Sequence, residues 1–143
     1  MIVVPNEWLV DRLFSSEQER LQVHTFLDLI EQHNHRLAVR RGGRLAQKIL
    51  TATANPQARA KRLRLMLFDE LKVRLVAEEE IIELPGELGQ ATPGDDLYLV
   101  ETAYAVRPCV LVTTDAPLRD SIQPHCNPEI EIRLLEEYLA GPH

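Results

Sequence analysis

The sequence predicts an α/β fold, a three-layer sandwich in which helices cover both faces of a mainly parallel central sheet. Short apolar runs rich in β-branched residues, such as Ile2–Val4 and Cys109–Thr113, have the length and composition of buried strands. Between them lie longer segments with apolar residues at helical spacing, and Pro/Gly clusters fall at intervals that suit short loops. Strands that alternate with helices form parallel sheets covered on both faces.

Composition places the chain among soluble proteins with one core. A length of 143 residues with 45% hydrophobic content suits a single domain over residues 1–143. No apolar stretch reaches the length of a membrane span, and the first residues lack a signal-peptide pattern, so we expect a cytoplasmic protein with no membrane partner. Cys109 and Cys126 lack metal-site spacing, and we expect them to be free thiols.

The first elements are a strand and two helices. Ile2–Val4 is a β-branched run that a proline–asparagine turn signal stops. Residues 8–14 have the pattern of a short helix. Ser16 lies three residues before Glu19, which is the spacing of a capping box, so a second helix is predicted to begin there and to end near His33.

The middle of the chain adds a strand and two more helices. Residues 36–39 alternate briefly and predict a strand. Two glycines follow this strand, and residues 44–52 after them predict a helix. Asn55 and Pro56 supply an N-cap and a first helical residue for a long helix, in which leucines recur every fourth position as far as Leu71.

The boundary after that helix is open in the sequence. Residues 72–76 either continue the helix or form a strand, and residues 81–84 have the pattern of a strand end before a Pro–Gly pair. The last third is predicted to contain, in order, a helix from Asp95 and Asp96 to about Val106, a strand over Cys109–Thr113, a short helix capped by Asp115 through Ile122, a strand over residues 129–133, and a C-terminal helix.

Charge is distributed unevenly along the chain. The net charge of −6 by itself argues against a nucleic-acid partner. Residues 36–74, however, hold eleven of the sixteen Lys and Arg residues against two acids, a balance of +9, while the remainder has five against twenty, a balance of −15. A basic segment of this kind is either a solvated helical face or a surface that contacts phosphates.

Acidic residues are predicted to gather at the carboxyl edge of the sheet. Asp115 directly follows a buried strand, and Asp95 and Asp96 open the helix before that strand. Carboxylates that are held close together suit a hard divalent cation, and Mg²⁺ or Mn²⁺ is the ion that oxygen ligands favour. The alternative is structural, because Asp95 and Asp115 are also well placed as helix N-caps.

Two stretches of the last third resemble a known family. The sequence DDLYLVETA at 95–103, followed by VLVTTDAPL at 110–118, is similar to the C-terminal signature of PIN domains. In that signature an acidic helix start precedes a strand that ends in Thr-x-Asp-x-x-Leu. The closing IEIRLLEEYL at 130–139 also resembles the terminal strand and helix of these domains.

The resemblance implies a PIN-like fold and a metal-dependent endoribonuclease, in some relatives the toxin of a toxin–antitoxin pair. Asp96 matches the third acid of the family pattern, Asp115 the fourth, and Glu101 a glutamate that some relatives carry. Two departures are visible. The first strand is followed by Pro5-Asn6-Glu7 where the family has Asp, and the helix at 44–52 lacks the family's glutamate.

The sequence thus supports two hypotheses. The first is a Mg²⁺- or Mn²⁺-dependent ribonuclease in which Asp96 and Asp115 hold the ion and Asp95, Asn6 or Glu7 assist. The second is a PIN-like domain without catalysis that binds RNA or a protein. RNA is the expected ligand of the first and one of the two ligand classes of the second, and an antitoxin protein and a second copy of the chain are further expected partners. The candidate phosphate contacts are Arg40, Arg41, Arg44 and Lys48, because guanidinium groups beside glycines suit phosphate.

Overall fold

The computed structural model describes residues 1–54 and 58–143, and it has the predicted three-layer α/β architecture. Five parallel strands form one sheet in the order β3-β2-β1-β4-β5. Every pairing in the sheet is parallel, so the prediction of a mainly parallel sheet is confirmed. The N-cap predicted at Asn55 and Pro56 lies outside the described residues.

The element bounds follow the predicted order closely. The strands are β1 (Ile2–Val4), β2 (Arg36–Arg40), β3 (Val73–Val76), β4 (Cys109–Thr113) and β5 (Ile130–Leu134). The helices are α1 (Trp8–Asp11), α2 (Glu17–Gln32), α3 (Arg44–Ala54), α4 (Lys61–Leu67), α5 (Gly86–Ala91), α6 (Leu97–Val106), α7 (Ala116–Ile122) and α8 (Leu135–Ala140). Short 3₁₀ turns cover Arg12–Phe14, Ala58–Ala60, Glu78–Glu80, Gly94–Asp96 and Gln123–His125.

Alternate residues of each strand point into two separate cores, which is why the strands are apolar throughout. In β4, Val110 and Val112 pack with α1, α2 and α8, whereas Cys109 and Leu111 pack with α6 and α7. Both faces of the sheet are therefore covered. Cys109 and Cys126 are free thiols, as expected.

The start of α2 is fixed by a side-chain cap. The hydroxyl of Ser16 accepts a hydrogen bond from the backbone N–H of Glu19 at 3.2 Å, as the capping-box spacing predicts. The buried face of the helix is formed by Val23, Phe26, Leu27 and Ile30.

We expect Ser16→Ala to lower the free energy of unfolding by about 1 kcal/mol, because the N–H of Glu19 then loses its acceptor. Urea denaturation followed by circular dichroism measures this change. Ser15→Ala is the matched control, since Ser15 is exposed and makes no side-chain cap. An equal loss in both variants would contradict the assigned cap.

The prediction of one long helix to Leu71 is wrong. Helix α4 ends at Leu67, and Leu71 is 85% exposed. The carboxylate of Asp69 accepts the backbone N–H of Leu71, and the carbonyl of Asp69 accepts those of Lys72 and Val73. This aspartate turn ends the helix and starts β3, so the open boundary resolves as a strand.

A strand at residues 81–84 is also a wrong prediction. After β3 the chain makes a 3₁₀ turn and then runs without regular structure to Pro85, and Leu84 is buried against α5, α6 and the sheet. Burial of Leu84 and partial burial of Ile81, rather than strand pairing, account for the apolar pattern. No helix within residues 1–54 and 58–143 has both the length and the apolar character needed to cross a membrane.

Candidate functional site

The candidate site lies between β1 and β4, where the direction in which successive strands are added to the sheet reverses. The chain builds β1, β2 and β3 outward in one direction and then places β4 and β5 on the other side of β1. The carboxyl ends of β1 and β4 are thus neighbours, with Val4 in register with Leu111. Helices leave in opposite directions from such a point, which opens the crevice where ligands of α/β sheets usually bind.

Asp96 enters this crevice from the start of α6. It occupies the N-cap position, yet its side chain makes no capping hydrogen bond. Burial raises the pKa of Asp96, and the negative charges of Asp115, Asp95 and Glu7 raise it further, while Arg44 opposes them. Charged residues from three other segments of the chain, at Glu7, Arg44 and Asp115, therefore act on one carboxylate, and a shared cation site at Asp96 and Asp115 stays a prediction.

Asp115 has a structural contact of its own. Its carboxylate accepts the backbone N–H of Leu118 at 3.0 Å and caps α7, and its own N–H donates to the hydroxyl of Thr113. The predicted N-cap at Asp115 is confirmed. The predicted N-cap at Asp95 is wrong, because α6 begins one residue later and Asp95 is exposed.

Tyr98 connects the end of β1 to α6, and the sequence reasoning missed it. Its hydroxyl donates a hydrogen bond to the side-chain carbonyl of Asn6. Burial raises the pKa of Tyr98 to about 12, and the neighbouring charge of Glu7 contributes to that rise. Its position two residues after Asp96, in the first turn of α6, is the signal that could have identified it. Asn6 and Glu7 thus lie in the same crevice as Asp96.

Lys48 supplies a fixed positive charge to this crevice. Its ammonium group lies 3.4 Å from the carboxylate of Glu7 and 2.7 Å from that of Asp11. These acids raise the pKa of Lys48. Lys48 projects from α3, the helix in which the family's glutamate is missing. The ammonium group of Lys48 is therefore the charged group that this helix contributes, where the family resemblance implies a carboxylate.

Arg44 covers the other side of the crevice. Its guanidinium donates to the backbone carbonyl of Asp95 and lies 4.1 Å from the centre of the Tyr98 ring. A surface cavity of about 300 Å³ borders it, with Arg41 and Gly42 also in its wall. Gly42 has a φ of 69°, a left-handed conformation that favours glycine and makes the tight turn from β2 to α3.

Two of the predicted site residues are held elsewhere. Glu101 pairs with Arg40 at 3.6 Å, and it is not among the charges that shift the pKa of Asp96. Arg40 also forms a two-pronged contact with Glu78, with the shortest distance at 2.8 Å. Gln47 donates to the carbonyl of Gly42. A phosphate would have to compete with carboxylates for Arg40 and Lys48.

The acids do not form a closed metal cage. Among the described residues, no three His, Cys, Asp or Glu side chains converge closely enough to enclose an ion. The predicted pair of Asp96 and Asp115 would supply two carboxylates, fewer than the three or four acids that the family resemblance implies. A two-carboxylate site still fits Mg²⁺, which proteins often hold through one or two carboxylates together with substrate phosphate.

The comparison with solved structures gives one fold match. A chain of the crystal structure of VapBC2 from Rickettsia felis bound to a DNA fragment from their promoter is similar, with a TM-score of 0.54 and 11% identity. The alignment covers 94% of this chain and 98% of that chain. No protein-family model matches the sequence, and no curated protein is significantly similar to it. At this level of identity the likeness concerns the fold alone.

Proposed function

We propose that this chain is a PIN-like, divalent-cation-dependent endoribonuclease. The observation that carries the proposal is Asp96, a partly buried carboxylate without a capping role, whose pKa is raised by burial and by Asp115. A carboxylate in this state is a group that a cation would stabilise. It lies at the switch point of a parallel sheet, where α/β proteins bind ligands.

Asp96 and Asp115 would hold Mg²⁺ or Mn²⁺, and the phosphate of the RNA would complete the coordination. When bound, the ion supplies Lewis-acid stabilisation of negative charge on the phosphodiester. Arg41 and Arg44 face the adjoining cavity and would bind the flanking phosphates. Tyr98 would keep Asn6 in place through its hydrogen bond, so that β1 ends at a defined position beside the acids.

The decisive experiment is cleavage of unstructured RNA in the presence of Mn²⁺, with and without a chelator. We expect cleavage that the chelator abolishes and that Asp115→Asn reduces by at least about 100-fold. Asparagine keeps the N-cap acceptor for Leu118, so the variant removes the charge of Asp115 without removing the cap.

Asp69→Asn is the matched control for this experiment. Asp69 also accepts a nearby backbone N–H, but it lies before β3, at the opposite edge of the sheet. The control should cleave RNA at the rate of the unmodified protein. Cleavage that survives the chelator, or that Asp115→Asn leaves unchanged, would contradict the proposed role of the ion.

A second candidate function has specific support. Lys48 pairs with Glu7 as well as with Asp11, and Asn6 stands at the end of β1, where the family pattern has a charged residue. Both features favour a catalytically degenerate domain that binds RNA or a protein without a metal ion. Calorimetry with Mn²⁺ separates the two functions, because the nuclease requires binding of Mn²⁺ that Asp96→Asn weakens, whereas the degenerate domain binds RNA equally well with a chelator.

An antitoxin protein is the proposed partner of this chain, and a homodimer is a further proposed assembly. Support for the antitoxin comes from the resemblance to PIN domains at residues 95–118 and from the fold match to a chain of VapBC2. Co-expression with the product of a neighbouring gene, followed by size-exclusion chromatography with light scattering, tests both assemblies.

A further inference from the structure

A second surface feature lies along the exposed edge of the sheet, and it shares Arg41 with the cavity beside Arg44. Strand β3 is the last strand on its side. A cavity of about 380 Å³ runs along it, which we call the β3-edge cavity. Its lining includes Arg36, Arg41, Arg74, Glu70, Phe68 and Leu75.

The guanidinium groups of this cavity are incompletely satisfied. Nε of Arg36 and one terminal nitrogen of Arg74 are buried and have no hydrogen-bond partner among the described residues. Arg74 uses its other terminal nitrogen to contact Glu80 at 2.5 Å. A buried donor without an acceptor costs about 1–3 kcal/mol. Arg36 and Arg74 therefore line this cavity with guanidinium charge that the protein itself satisfies incompletely, and a ligand with negatively charged oxygens would be a favourable partner for it.

The backbone of β3 also presents unpaired groups. The carbonyls of Lys72 and Val76 accept hydrogen bonds from Leu37 and Arg41, at 2.9 Å in each case. Alternate residues of a strand direct their backbone groups to opposite sides, so Leu75 directs its N–H and C=O away from β2. An edge of this kind is a template for an additional strand.

The two faces of this edge differ in chemistry. Arg36 and Arg74 lie on the face that carries Ala38 and Val76, towards α6. On the opposite face, Leu75 is partly exposed beside Phe68, which is 70% exposed. Because the side chains of a strand alternate between faces, a strand added here would meet arginines on one face and apolar groups on the other.

We infer that the β3-edge cavity binds an extended segment of a partner protein in which acidic and apolar residues alternate. The segment adds as a sixth strand, with its carboxylates on Arg36 and Arg74 and its apolar side chains on Phe68 and Leu75. This inference is tested independently of the proposed nuclease activity, since the residues that it requires, Arg36, Arg74, Phe68 and Leu75, have no role in the proposed cleavage.

Charge favours an acidic partner over a second copy of this chain. Of the three arginines, only Arg74 has an ion pair, with Glu80, among the described residues. Symmetric pairing of two copies through β3 would bring the same arginines together, because each copy offers the same patch. An acidic segment would bring carboxylates to the guanidinium groups of Arg36 and Arg74 that line the cavity.

Fluorescence anisotropy of the intact protein with a fluorescein-labelled peptide of alternating Glu and Val residues tests the inference. We expect this peptide to bind at least about tenfold more tightly than a peptide of alternating Lys and Val. Arg36→Gln should weaken binding by about tenfold, because a charged hydrogen bond is lost. Arg64→Gln is the matched control, an exposed arginine of α4 that should bind normally.

Leu75→Pro tests strand addition directly. It removes the outward N–H at an edge position where proline is tolerated, and it should abolish binding. Should this variant fail to fold, hydrogen exchange on the unmodified protein replaces it, and the amide of Leu75 should become protected when the Glu–Val peptide binds.

Several results would overturn the inference. They are no binding of the Glu–Val peptide, equal binding of the Lys–Val peptide, and an unprotected Leu75 amide in the complex. Displacement of the peptide by oligouridylate would indicate an RNA surface instead. A dimer of the unmodified protein that Leu75→Pro dissociates would assign the edge to a second copy.

Discussion

Asp96→Asn should stabilise the folded protein at pH 7 while it abolishes cation-dependent RNA cleavage. In the folded protein Asp96 loses solvation and faces the charges of Asp115, Asp95 and Glu7, and its side chain makes no compensating cap. Removal of the charge relieves this penalty, and we expect a gain in the free energy of unfolding on the order of 1 kcal/mol. Cleavage should fall by at least about 100-fold because a cation ligand is lost.

The stabilisation should depend on pH in a defined direction. The folded protein has a raised pKa for Asp96, so ionisation of this group costs more in the folded than in the unfolded state. The penalty develops as the pH rises from the ordinary value of 3.8 through the raised pKa. Urea denaturation should therefore show equal stability of the two proteins well below pH 3.8 and a difference at pH 7.

A divalent cation should reverse the order of stability. Mn²⁺ that binds only the folded unmodified protein should raise its unfolding temperature, whereas the Asp96→Asn variant should not respond. Asp69→Asn, at the opposite edge, should respond as the unmodified protein does. A destabilised Asp96→Asn variant would show that this carboxylate serves the fold, and the proposed function would lose its main support.

Trp8→Ala should have the largest effect on stability, a loss of about 3–5 kcal/mol. Trp8 is buried, its ring packs edge-on against Phe26 with 5.1 Å between ring centres, and its indole N–H donates to the carbonyl of Val112 at 3.0 Å. The substitution removes a large apolar side chain and leaves that carbonyl without its indole donor. Urea denaturation followed by circular dichroism measures the loss, since Trp8 is the sole tryptophan.

Two further variants separate packing from hydrogen bonding at this position. Trp8→Phe keeps most of the apolar volume and removes the donor to Val112, so a smaller loss of about 1–2 kcal/mol is expected. Leu21→Ala is the control, because Leu21 is 64% exposed on α2 and its removal should change stability by less than about 0.5 kcal/mol. Equal losses at Trp8 and Leu21 would contradict the assigned core.

Local patterns determined most of the elements. The run Cys109–Thr113 became a strand with the predicted bounds, since β-branched residues that are buried on both faces have few other stable arrangements. Ser16 and Asp115 became caps because a short polar side chain before a helix satisfies an N–H that the helix itself cannot. These outcomes depend on residues a few positions apart, and a sequence records such neighbours.

The errors arose where a distant contact decides the outcome. Leu71 continues a helical leucine spacing, but the turn made by Asp69 ends the helix and frees the chain to pair with β2. The apolar pattern at 81–84 reflects burial of Leu84 against elements that come later in the chain. Spacing alone does not distinguish a strand from an extended segment that buries one side chain.

For the candidate site, the sequence by itself predicted that Asp96 and Asp115 approach the same edge, because parallel topology places the ends of adjacent strands together. Only the tertiary structure decided which charges meet there. Lys48 forms an ion pair with Glu7, and the hydroxyl of Tyr98 donates a hydrogen bond to Asn6. Glu101 forms an ion pair with Arg40 of β2. Each of these pairs joins residues at least forty positions apart, and their contact depends on how helices pack on the sheet, which no local pattern encodes.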